Sequence, residues 1–145
     1  MPENPSQAVQ PYLLYEDAGA AVDWLCNVFG MAERFRLVDE AGRLNHAEVT
    51  IGGDHVIMLG SPGGDYQSPA SSGHVHSQVY VYVDDVDAHF ARAKAAGTTT
   101  LEEPVDQFYG DRRYGALDLE GHQWYFATHV RDVEPPDIQA QAPTS

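Results

Sequence analysis

The sequence predicts an α+β protein built from two tandem βαβββ modules. Three observations predict it. The intervals Asp17 to Gly30 and Asp84 to Gly97 have equal length and the form of a helix that opens on an aspartate cap and stops at glycine, offset by 67 residues. The tight-turn glycines Gly53 and Gly121 repeat at an offset of 68. Strand-like runs fall in the same order between these landmarks in both halves, as an internal duplication requires.

Residues 1–8 hold two prolines and little apolar content and read as a flexible lead-in. The first module spans 9–60. Val9 to Tyr15 reads as a strand, with Pro11, Leu13 and Tyr15 on one face and Gln10, Tyr12 and Leu14 on the other. Asp17 caps a helix in which Val22, Leu25, Cys26 and Phe29 recur at helical spacing. Glu33 to Val38, Leu44 to Ile51 and His55 to Leu59 follow as antiparallel strands, joined by turns at Glu40-Ala41-Gly42 and Gly52-Gly53-Asp54. Residues 61–74 are rich in Ser, Pro and Gly and form a loop.

The second module spans 75–130. Ser77 to Val83 alternates Gln78, Tyr80 and Tyr82 against Val79, Val81 and Val83. Asp84, with Asp87 three residues on, opens the second helix as a capping box, and Val86, Phe90 and Ala93 share one of its faces. A strand near Thr99 to Leu101 leads through Pro104 to a hairpin, Arg112 to Ala127, turning at Asp118-Leu119-Glu120-Gly121. Residues 131–145, with Pro135, Pro136 and Pro143, read as a flexible tail.

Composition limits function. A chain of 145 residues suits one domain or two small modules with a shared core. Eight Lys and Arg against 22 Asp and Glu give a formal charge of −14, which repels duplex nucleic acid and anionic membranes. Cys26 is the single cysteine, so no intrachain disulfide forms. No secretory leader pattern or membrane-spanning run is seen, and a cytoplasmic protein is expected.

The paired modules, with Tyr-Gly-Asp-Arg at 109–112, Asp-x-x-Gly-His-x-Trp at 118–124 and Ala-Thr-His at 127–129, resemble the vicinal oxygen chelate superfamily. That group contains glyoxalase I, bleomycin resistance proteins and extradiol dioxygenases, and the chain looks most like its PhnB-like, glyoxalase-like branch. The resemblance covers about Val9 to Val130. It implies a cupped mixed sheet with helices on the outer face, a ligand in the concavity and a homodimer. The family's metalloenzymes carry ligands on the first and last strands of each module. The matching positions here are Gln10, Gln78, Ile57 or Met58, and Tyr125. Amides, an apolar side chain and a phenol hold a transition metal poorly, so the expectation is no metal and no cofactor.

The alternation supports a lined face by itself. Val79, Val81 and Val83 suit a helix-covered face, so Gln78, Tyr80 and Tyr82 turn away from it, as do His46, Glu48 and Thr50. That second face is a pocket or a solvent-exposed surface. As a pocket it offers aromatic faces for stacking and polar groups for orientation. The expected lining is Gln10, Tyr12, His46, Glu48, Gln78, Tyr80, Arg112, Tyr114 and Tyr125. Arg112 is placed with Tyr114 on one hairpin face, either to bind a carboxylate or phosphate or to pair with Asp111, Asp118 or Glu120.

His46-x-Glu48 and His74-x-His76 each put two candidate ligands on one strand face, and Glu48 beside His46 is also an acid-base pair. His122 and His129 read as structural. Cys26, Trp24 and Trp124 read as packing residues, and Gly52-Gly53 is a turn without a phosphate-loop lysine. The expected function is binding of a small, partly aromatic molecule without metal. The alternatives are a metal-dependent lyase, isomerase or dioxygenase using His46, Glu48, His74 and His76, and an interaction protein with a vestigial pocket.

Overall fold

The computed structural model describes residues 5–143. The elements run β1 (Tyr12–Leu14), α1 (Ala18–Phe29), β2 (Ala32–Val38), β3 (Leu44–Ile51), β4 (His55–Gly60), α2 (Pro69–Ser72), β5 (Gln78–Tyr82), α3 (Val86–Ala95), β6 (Thr99–Asp106), β7 (Asp111–Leu117), β8 (Gln123–His129) and α4 (Pro135–Gln141). Two four-stranded mixed sheets result, ordered β1-β4-β3-β2 and β5-β8-β7-β6. In each, the first strand lies parallel to the last and the other pairs are antiparallel. These are the two tandem βαβββ modules of an α+β fold. No helix among the described residues is long and apolar enough to cross a membrane.

Several boundaries differ from the sequence expectation, each for a local reason. The first strand is confined to Tyr12–Leu14. Before it, the Gln7 amide replaces a strand rung, donating to Val56 O at 3.0 Å and accepting from Val56 N at 2.6 Å. The expected flexible lead-in is therefore pinned at Gln7, while its residues 1–4 lie outside the described residues. Asp85, not Asp84, caps α3, accepting from Ala88 N at 3.1 Å. Buried Val86 opens the helix behind it, so the two cap aspartates, Asp17 and Asp85, share the 68-residue offset of Gly53 and Gly121. β6 continues through Pro104 to Asp106 because it is an edge strand with a register shift between Glu102 and Val105, where a missing N–H is tolerated. Within the expected loop, Pro69 opens the short helix α2, and within the expected tail Pro135 and Pro136 open α4, since proline suits a first helical turn. No residue of α2 or α4 is buried.

The helix-covered faces of both sheets join in one core containing Leu13, Val22, Leu25, Phe29, Val49, Leu59, Val81, Tyr114, Trp124 and Phe126. Phe29, at the end of α1, packs edge-on against Phe126 with ring centroids 4.7 Å apart. Polar ties at the β7–β8 turn complete the union. Asp118 accepts from Tyr15 Oη at 2.6 Å and from Trp124 Nε1 at 3.0 Å. Glu120 accepts the backbone N–H groups of Glu16 and Asp17 at 2.6 and 2.9 Å. Burial, then the charge of Asp118, pushes the Tyr15 phenol well above its ordinary value.

Tyr15→Phe removes one buried hydrogen bond to a charged acceptor, so it should lower unfolding stability by about 1.5–3 kcal/mol, read from the midpoint of urea unfolding at an unchanged slope.

Candidate functional site

Strand alternation gives each sheet a helix-covered face and an open face. In the second module the hairpin register settles which residue lies where. Asp111 pairs with His129, Arg113 with Ala127 and Gly115 with Tyr125, so these share the open face. Tyr80 pairs with Tyr125 and Gln78 with Gln123 on the same side. Tyr114 and Arg112 belong to the other side, which corrects two expected site residues. Tyr114 is fully buried beneath α3, stacked on Phe126 and donating to His89 Nδ1 at 2.5 Å. The His89 ring in turn bonds to Phe29 O at 2.8 Å. Arg112 pairs with Asp87 of α3 at 3.0 Å and Asp106 of β6 at 3.2 Å, rather than with Asp111, Asp118, Glu120 or a ligand.

The open-face arginine is Arg113, which sequence reasoning passed over. It bonds to Glu102 at 2.9 Å and to Tyr109 Oη at 3.0 Å, and its guanidinium lies 4.9 Å from the Tyr125 ring centroid. Gly115 makes this packing feasible, because a Cβ there would stand 2.7 Å from Tyr125 Cε1. Asp111, also passed over, is the polar centre of this face. It accepts from Tyr80 Oη and Tyr82 Oη at 2.8 Å each and meets His129 Nδ1 at 2.9 Å. Burial alone would raise the Asp111 carboxyl, but the hydrogen bonds from His129, Tyr80 and Tyr82 outweigh it and hold the group below its usual range. His129 is raised by Asp111, and then by Asp132 at 2.7 Å from Nε2. Burial, with the bonds to Tyr109 and Asp111, raises Tyr80, and the Asp111 bond raises Tyr82.

On the open face of the first module, Tyr12 Oη lies 2.9 Å from His46 Nδ1, and His46 Nε2 lies 3.0 Å from Glu48 Oε2. Arg34 binds the other oxygen of Glu48. Gln10 and Glu48 line a hollow with Arg34 and Thr50, but Gln10 Nε2 is turned to Gln7 O at 3.4 Å. The remaining expected residues lie elsewhere. Tyr80 borders a cavity of about 380 Å³ between β4 and β5, with Pro11, Ile51, Val56, Val79 and Tyr82. Tyr12 also edges a hollow beneath the 61–77 connection, with Tyr66, His74, His76 and His122. The nine expected residues thus divide within one chain among the two open faces, the core, which holds Tyr114, and the helix-side surface, where Arg112 is paired.

The donors do not suit the metal that the fold's metalloenzymes carry. Gln78 is hydrogen-bonded to Gln123 at 2.8 Å, Tyr125 lies under Arg113, and Met58 sits between Tyr12 and Glu48 in the sheet register. His74 and His76 stack on each other at 6.2 Å. Among the described residues, no three His, Cys, Asp or Glu side chains gather at metal-binding spacing, so His46, Glu48, His74 and His76 do not form a common site within one chain.

Comparison with known proteins agrees with this architecture. Residues 8–126 match the model of the Glyoxalase/Bleomycin resistance protein/Dioxygenase superfamily. The uncharacterized protein Mb0911c of Mycobacterium bovis is 35% identical over 142 residues, which span 94% of this chain and 93% of that protein. The crystal structure of TioX from Micromonospora sp. ML1 is 38% identical with a TM-score of 0.69, covering 85% of this chain and all of that one. A glyoxalase-related enzyme from Clostridium phytofermentans shares the fold at 14% identity, with a TM-score of 0.68 and coverage of 88% and 98%.

The Asp111–His129 pair has a defined pH window. His129 is raised, so its contribution is present below the ordinary imidazole value and is lost as pH climbs through the raised value. Asp111 is lowered, so its contribution is present above the ordinary carboxylate value and is lost as pH falls through the lowered one. In an NMR titration the His129 ring should therefore titrate above ~6.5 in the native protein and move back toward ~6.5 in Asp111→Asn.

Proposed function

We propose that this chain, which belongs to the Glyoxalase/Bleomycin resistance protein/Dioxygenase superfamily, binds a small, partly aromatic molecule on its open sheet faces without a metal ion. One observation carries the reading. The open face of the second module is a floor of phenols, Tyr80, Tyr82, Tyr109 and Tyr125, oriented by Asp111 and Arg113. Aromatic faces held in place by polar groups suit a planar ligand, with Gln78 and Gln123 at one edge to bond its substituents. Tyr80 and Tyr82 remain exposed.

In this reading the chain is a homodimer, and the open face of one subunit's first module closes over that of the other's second module. Tyr12, Leu14, Phe35 and Leu37 on the first face, and Tyr80, Tyr82 and Val105 on the second, are large apolar side chains left exposed. Collected patches of this kind mark interaction surfaces. Closure would also bring together expected ligand residues that a single chain keeps apart. The lone thiol, Cys26, fits a cytoplasmic protein.

Calorimetric titration with planar aromatic metabolites and glycopeptide antibiotics in excess chelator tests the proposal. Saturable binding should persist in the chelator. Tyr80→Ala and Tyr125→Ala should each weaken it about two- to tenfold, the equivalent of ~0.5–1.5 kcal/mol of aromatic stacking. Binding abolished by the chelator, or indifferent to both substitutions, would refute it.

A further inference from the structure

We propose that Tyr12, His46 and Glu48 form a proton relay on the first module's open face, in which Tyr12 is a reactive phenol toward ligands bearing an activated acyl group. The relay lies within one module and does not depend on the shared ligand face proposed above.

Its geometry follows from the sheet order. Tyr12 is on β1 and His46 on β3, with β4 between them. The phenol crosses the intervening strand because residue 60 is glycine: a Cβ there would lie 2.8 Å from Tyr12 Cε1 and 2.9 Å from Tyr12 Oη. The ring reaches His46 Nδ1 at 2.9 Å, while His46 Nε2 meets Glu48 at 3.0 Å. The groups facing His46 are Tyr12 from β1, Glu48 on its own strand, Arg34 from β2 acting through Glu48, and the Phe35 ring at 6.2 Å; β4 presents Gly60.

The chemistry fixes the direction of the proton. The bond from His46, and then Arg34, holds the Glu48 carboxyl below its usual range, so it is ionised and only accepts. The neutral imidazole then carries its hydrogen on Nε2, leaving Nδ1 to accept from the phenol. This is a carboxylate–imidazole–hydroxyl sequence with a phenol as the terminal group.

The second module provides an internal contrast. Tyr82, exposed at 60% against 47% for Tyr12, donates to the Asp111 carboxylate. A carboxylate, with an ordinary value of ~3.9 against ~6.5 for imidazole, is a much poorer proton acceptor. Exposure favours Tyr82, whereas the partner base favours Tyr12.

In the step itself, Tyr12 Oη attacks the acyl carbon of an activated ester as the phenolic proton passes to His46 Nδ1. The bond from that carbon to the leaving oxygen breaks, and the leaving group departs with the electron pair. The imidazolium so formed is paired with Glu48 and returns its proton to the leaving group or to water. The product is an O-acyl Tyr12, which water cleaves to the free acid and the phenol.

The test uses the full chain and p-nitrophenyl acetate, following nitrophenolate release and locating the acetyl group by peptide mass mapping. Tyr12 should be acetylated at least about tenfold faster than Tyr82, and His46→Gln should lower the Tyr12 rate by a similar factor while leaving the Tyr82 rate unchanged. Tyr12 labelling no faster than that of Tyr82 in the wild-type chain, or a Tyr12 rate indifferent to His46→Gln, would overturn the proposal.

Discussion

The structure depends on two carboxylates in one turn. Asp118 and Glu120, between β7 and β8, grip the first module where β1 passes into α1: Asp118 through the Tyr15 hydroxyl and Glu120 through the N–H groups of Glu16 and Asp17. A negative group at those amides satisfies donors that the start of a helix leaves open and complements its positive end. Asp118 also anchors Trp124 and closes its own turn by accepting from Glu120 N and His122 N. The His122 ring reaches Leu14 O at 2.8 Å, so even this histidine ties one module to the other. No buried side-chain nitrogen or oxygen lacks a partner among the described residues. With the apolar faces of both sheets committed to one core, the opposite faces are left for solvent, a partner or a ligand.

Much of this was legible in the sequence because duplication repeats its landmarks. The aspartate cap of α1, the hairpin glycines and the valine alternation of β5 each rest on local backbone chemistry, and each stands where expected. The failures share a different origin. Read alone, the hairpin sequence puts Arg112 and Tyr114 on the ligand face, yet pairing Tyr125 with Gly115 across the 118–121 turn puts Asp111 and Arg113 there. A one-residue shift in a strand exchanges its faces, and counting outward from that turn was the signal that could have found them. Asp84 and Asp85 are both plausible caps by type, and the burial of Val86 and the 68-residue offset shared with the hairpin glycines select Asp85. The partners of Arg112, Asp87 and Asp106, come from other strands and helices, and no local pattern carries that information.

The two open faces differ in their chemistry. The second collects phenols around a carboxylate that accepts from Tyr80 and Tyr82, which makes a rigid aromatic floor. The first sets one phenol against an imidazole, a partner able to take its proton. In both, the polar side chains are already bonded to one another: Gln78 to Gln123, His46 to Tyr12 and Glu48, and His129 to Asp111 and Asp132. A metal ion would have to break these pairs to find ligands, and the replacements at the family's ligand positions, Tyr125 and Met58, offer poor compensation.

Metal content per chain tests the metal-free proposal most directly. Protein purified without a histidine tag and dialysed against a mild chelator should contain only trace metal by elemental analysis while retaining its ligand affinity. Near-stoichiometric zinc, nickel, manganese or iron surviving dialysis would contradict the account, because side chains bonded to one another would then have to be serving an ion.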